Sequence, residues 1–127
     1  MKLNIKFASC RLDPILFTHE AHLRLAWLNI HEYGLNEAEF WVSEQLKAYT
    51  AHLGQGDKYN HTLTIAAVKA VNHFMQNSNT DNFKDFIAEN SRLKTHFKEL
   101  LSQHYSTNIF RSKKARKVFL EPELAGF

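Results

Sequence analysis

The chain has 127 residues, 44% hydrophobic and 13% aromatic, with a formal net charge of +3; this suits one globular domain and is too apolar for a disordered chain. Only 4 Gly and 2 Pro argue against an all-β sandwich or barrel, which needs frequent turn residues. The single Cys10 forbids an internal disulfide or a Cys-built zinc ribbon, and no apolar run approaches the roughly 20 residues that span a bilayer.

The start, Met1 to Cys10, includes Phe7-Ala8-Ser9-Cys10, a faint likeness to a lipoprotein cleavage site. Asn4 and Lys6 break the apolar stretch that a secretory signal requires. We therefore expect a cytoplasmic protein with a free thiol and no membrane partner. Asp13-Pro14 reads as a cap followed by Pro at a first helical position, opening a short turn.

Thr18 is the best N-cap for a helix from His19 to Tyr33, ended by Gly34. Asn36 with Glu39 has capping-box spacing and opens a second helix to about Leu53. Gly54-Gln55-Gly56-Asp57 reads as a loop. Asn60 caps a third helix from His61 to about Gln76, which Asn77-Ser78-Asn79 ends. Thr80 or Asp81 starts a shorter helix to Asn90, and Ser91 caps another through about Gln103. Ser112 caps a last basic helix to Leu120, stopped by Glu121-Pro122. With no repeat and no strand-like alternation, the expectation is an all-α, compact, single-domain bundle of five to six helices spanning residues 1–127.

Helical periodicity assigns the buried faces. At about 100° per residue, Glu20, Arg24 and His31 share the polar side of the first helix. Leu25, Ala26, Ile30 and Tyr33 surround the opposite side, together with His22 and Asn29, while His19 lies close by. The second helix buries Ala38, Val42, Leu46, Tyr49 and Leu53. On the third, Leu63, Ala67, Val71, Phe74 and Met75 face inward with Thr64 among them, and Thr62, Lys69, His73 and Gln76 face out. Short connections make successive helices antiparallel. That topology collects His19, His22, His52 and His61 at one end, beside Lys58 and Tyr59.

Two segments, Phe17-Thr18-His19-Glu20-Ala21-His22-Leu23-Arg24-Leu25-Ala26-Trp27 and Lys58-Tyr59-Asn60-His61-Thr62-Leu63-Thr64, resemble a family of small uncharacterised bacterial all-helical proteins. That family pairs an F-T-H-x-x-H-x-R-x-A-W segment with a Y-[NH]-x-T-x-T segment. Ala115-Arg116-Lys117-Val118-Phe119 followed by Pro122 is similar to the family's ending, so the likeness covers nearly the whole chain. Where His61 stands, the family carries an acidic residue. The resemblance implies no named activity and supports the choice of residues alone.

Three chemistries suit the histidine end. The first is a pocket for a small polar or anionic ligand, with donors from Thr18, Thr62, Lys58 and Tyr59 and from helix N-termini. Asn29, His61 and Thr64 complete its lining. In a catalytic version His22 is the acid–base group, oriented by His19 or Asn29. The second is a divalent metal held by His19, His22 and His61, or by His52 in place of His61. Two helix N-termini aimed at one spot oppose a cation, and no inward carboxylate offsets them. The third is an interaction module or homodimer using Phe40, which falls on the polar side of its helix. The Arg111–Lys117 cluster lacks interleaved aromatics, which argues against nucleic acid. No phosphate loop or nucleophile elbow is present.

Overall fold

The computed structural model describes residues 19–127. The Asp13-Pro14 turn, the Thr18 cap and Cys10 lie outside that range. Within it the chain is helical, with seven α-helices and one 3-10 turn. Long helices α1 (His19–Tyr33), α2 (Leu35–His52) and α3 (His61–Gln76) come first. Shorter pieces follow: α4 (Phe83–Glu89), α5 (Arg92–Thr95), α6 (Phe97–Ser102) and α7 (Lys113–Lys117).

A single residue joins α1 to α2. Gly34 sits at φ 85, ψ 172, a region open essentially to glycine alone. Its N–H closes α1 on the Ile30 carbonyl at 2.8 Å, and its carbonyl accepts from the Ala38 N–H at 3.0 Å. Because Gly34 already occupies the capping position, Asn36 falls in the first turn of α2 and the expected capping box does not form. Glu39 instead pairs with Lys69 of α3 at 2.9 Å.

The predicted helix from Ser91 to Gln103 is two helices. Ser91 has helical backbone angles and caps nothing with its side chain. His96, at φ −131 and ψ 37, breaks the run, and its Nδ1 lies 2.7 Å from the Thr95 hydroxyl. This break takes the helix total past the expected five or six. Asn82, rather than Thr80 or Asp81, caps α4 by accepting from the Asp85 N–H at 2.9 Å.

Helices α1, α2 and α3 pack on one another pairwise. One core cluster joins them to α4 through Leu25, Val42, Val71 and Phe86. A second, on the other side of α3, gathers Ala66, Leu101, Tyr105, Ile109 and Ala115. Lying between two cores, α3 is buried over more of its circumference than a surface helix. Thr62 is the clearest departure from expectation. Periodicity put it on the polar face, yet it is fully buried.

The covering element is residues 118–127, which have no regular helix. The Thr62 hydroxyl donates to the Val118 carbonyl at 2.7 Å and accepts from the Leu120 N–H at 3.0 Å. Tyr105 donates its hydroxyl to the Leu120 carbonyl at 2.7 Å. Further along, the Leu124 N–H reaches the His104 carbonyl at 3.0 Å, and the Phe127 ring stacks on the His104 ring 4.0 Å away. These bonds hold residues 118–120 in an extended path, so α7 ends at Lys117 and not at Leu120.

Asn60 works at the same junction. Its Oδ1 caps α3 by accepting from the Leu63 N–H at 2.9 Å, and its Nδ2 donates to the Ile109 carbonyl at 2.8 Å. Asn60→Ala removes a cap and leaves a buried carbonyl unmatched, so a loss of about 2 kcal/mol in urea unfolding is expected.

Candidate functional site

The histidines at the start of α1 follow different fates. His19 is exposed, and its Nε2 donates to the Leu93 carbonyl of α5 at 2.9 Å. Its ring also leans on Phe97 with centroids 4.8 Å apart. The residue pins α1 to the α5–α6 region. His22 as a whole is half-buried, while its Nε2 is shut off from solvent. The enclosed ring atom, more than the residue average, governs protonation. Burial first, and the neighbouring His19 second, lower its pKa from 6.5 to about 4.

That value weakens the acid–base role expected of His22. A group titrating near 4 is neutral at physiological pH but a poor proton acceptor, because general bases work best near the operating pH. Asn29, expected to line the pocket, has no exposed surface. Its Nδ2 bonds back to the Leu25 carbonyl at 2.9 Å. Thr64 is likewise buried, its hydroxyl donating to the Asn60 carbonyl one turn earlier at 2.8 Å. Both side chains are buried, out of a ligand's reach.

The metal triad is not assembled. Among the described residues no group of three His, Cys, Asp or Glu side chains is placed to hold a metal ion. The physical reason is divergence: His19 turns to the Leu93 carbonyl, whereas the His61 Nδ1 meets Tyr59 at 2.8 Å. A shared end of the bundle brings backbones together without aiming their side chains at one point.

Tyr59 and His61, both expected at this end, are joined by a hydrogen bond. Asn60 caps α3 between them, the 3-10 turn Gly56–Lys58 precedes them, and the phenol lies beside Ser43 and Lys47 of α2. Both groups are neutral at pH 7. Burial pushes the Tyr59 hydroxyl up to about 12, and burial followed by the Lys47 charge lowers the His61 imidazole. A phenol is the better donor and an imidazole nitrogen the better acceptor. We assign the Tyr59 O–H as donor to Nδ1, leaving the His61 proton on Nε2.

Around this pair stand Lys47, Glu44 and Ser43, which the chain reading missed, and Thr64, which it had named. The Lys47 ammonium lies 5.7 Å from the Tyr59 ring centroid, close to Glu44 at 3.5 Å. The Ser43 and Thr64 hydroxyls approach the phenol, each already donating to a backbone carbonyl. Ser43 was findable, since it falls on the buried stripe of α2 beside Val42 and Leu46. Lys58 and His52 are exposed nearby in sequence.

Two concavities lined by described residues lie elsewhere. One of about 350 Å³ sits between the end of α6 and residues 105–110. Another, of about 330 Å³, is bounded by α3 and the segment ending at Phe127. Neither includes His19, His22 or His61. Phe40 and Trp41 are exposed on α2, packed edge to face with ring centroids 5.1 Å apart. No helix among the described residues is long and apolar enough to cross a membrane.

Comparisons with known proteins return no matching family model, curated relative or solved structure. Among the described residues the chain is a helical bundle with a tyrosine–histidine pair at the start of α3, the helix between its two cores.

Proposed function

We propose that the protein binds a small polar or anionic ligand at the rim where Tyr59 and His61 meet α2. The observation that carries this reading is the 2.8 Å bond between the Tyr59 hydroxyl and the His61 Nδ1. That bond sets the tautomer, so the half-buried ring presents Nε2–H as a donor of fixed orientation. Lys47 and Lys58 add cationic charge on exposed side chains. Glu44 beside Lys47 offsets part of that charge and favours a ligand that also carries a donor.

Titration with inorganic phosphate and with malonate, followed by NMR of the imidazole nitrogens, tests the proposal. The His61 signals are expected to move first. His61→Ala should abolish binding. Tyr59→Phe should weaken it roughly 5- to 10-fold, the worth of one neutral hydrogen bond. Circular dichroism checks that both variants fold. No response to either anion, or equal affinity in both folded variants, overturns the proposal.

A further inference from the structure

The segment Arg111–Lys117 carries five cations in seven residues, Arg111, Lys113, Lys114, Arg116 and Lys117. All five are exposed, and none has an ion-pair partner among the described residues. Two anchors hold the helix beneath them. Ala115 is fully buried against α3, and the Ser112 hydroxyl accepts from the Ala115 N–H at 3.1 Å. At about 100° per residue, Lys113 and Lys117 project directly away from Ala115, and Lys114 and Arg116 flank them. The fold thus spreads the charge over the whole outward half of α7.

The cluster begins one residue after Phe110, which lines a concavity of about 350 Å³ at the end of α6. The Arg111 N–H bonds to the Asn108 carbonyl at 3.2 Å, and the Phe110 N–H to the Asn108 Oδ1 at 3.1 Å. This turn sets Asn108 and Phe110 in the wall of the concavity, with Ser106 and Thr107 beside them. Lys98 of α6 lies 5.3 Å from the Phe110 ring centroid. An aromatic edge and several neutral hydrogen-bonding side chains therefore adjoin a dense row of cations. Glu99 lines the same concavity, and the Glu123 carboxylate is already taken by the Ser106 N–H. From residue 98 to residue 123, six Lys and Arg face three Glu.

We propose that this surface binds single-stranded nucleic acid, with phosphates along α7 and one unstacked base in the concavity beside Phe110. In sequence the cluster lacks interleaved aromatics. The fold supplies the aromatic from its flank instead. Backbone phosphates take their affinity from such cations, and single strands offer base faces to an aromatic side chain. An acidic protein would satisfy the charges but gives the hydrogen-bonding concavity no role. An anionic membrane would use the exposed Val118 and Leu124 instead.

Fluorescence anisotropy of the full chain with labelled oligothymidine and oligouridine tests this. If five phosphates are neutralised, log K should fall against log salt with a slope of about −3.5, roughly a 100-fold loss between 50 and 200 mM salt. Replacing Arg111, Lys114 and Arg116 together by Gln should reduce that slope to about −1.4. Phe110→Ala should weaken binding several-fold while leaving the slope unchanged, the signature of a base contact. Thermal unfolding verifies that the variants fold, and Phe110→Leu covers the case in which the alanine variant does not. Absence of binding at low salt, a slope unmoved by the triple replacement, or binding to phosphatidylserine vesicles but not to either oligonucleotide overturns the proposal.

Discussion

Lowering the pH from 6.5 to 4 is expected to cost the protein up to about 3 kcal/mol through His22 alone, the worth of a drop of about 2.5 pH units in the affinity for a proton. Above pH 6.5 the imidazole is neutral in both the folded and the unfolded chain, so its contribution does not vary. Between 6.5 and 4 the unfolded chain binds the proton and the folded one resists it, so stability falls as acid is added. Below about 4 both forms are protonated and the loss levels off. His22→Gln keeps a polar side chain and removes the titration. Urea midpoints measured across this range should therefore slope less steeply for the variant than for the parent. Parallel curves would mean that the folded protein protonates His22 as readily as a free peptide does, and that the ring is not enclosed.

Thr62→Val is expected to lower stability by about 3 kcal/mol, although it preserves volume and shape. The hydroxyl serves two buried backbone groups, the Val118 carbonyl and the Leu120 N–H. Each group left unmatched costs about 1–3 kcal/mol. Amide exchange at Leu120 should accelerate together with the fall in urea midpoint. A Leu120 amide as slow as in the parent would show that Tyr105 and His104 suffice to hold residues 118–127 in place.

Thr62 also shows where chain reading stops. The end of α1, the glycine that closes it, and the Asn60 cap of α3 were legible because each is a local event encoded within a few residues. The inward face of α2 was legible for the same reason, since periodicity is local, whereas that of α1 was only partly so. There Leu25, Ala26 and Ile30 are buried, but Tyr33, expected inward, is exposed, and Leu23, Trp27 and Leu28 are enclosed as well. Thr62 was assigned outward because its partners lie 56 and 58 residues away in a stretch without helical or strand rhythm. The break at His96 was missed because Ser91 looked like a cap, whereas its backbone is already helical.

The candidate site divides along the same line. Tyr59 and His61, two residues apart, were expected at one end of the bundle among four histidines and Lys58, and the structure shows a bond between them. His19, His22 and His61 were grouped from topology alone. Topology sets which helix ends are neighbours, while ring direction depends on the nearest acceptor, the Leu93 carbonyl for His19 and the Tyr59 hydroxyl for His61. Asn29 and Thr64 were correctly read as inward, but the Asn29 Nδ2 and the Thr64 hydroxyl are bonded to the Leu25 and Asn60 carbonyls, away from any ligand.

The junction of Asn60 and Thr62 with Ile109, Val118 and Leu120 bears on how the chain is made. During synthesis the beginning of α3 leaves the ribosome dozens of residues before the groups that complete it. Until residue 120 has emerged, two polar side chains that end up enclosed must remain hydrated. A nascent chain halted near residue 105 should accordingly hold a loose, protease-sensitive α1–α3 assembly, and release of the final segment should convert it into the protected form in one late step.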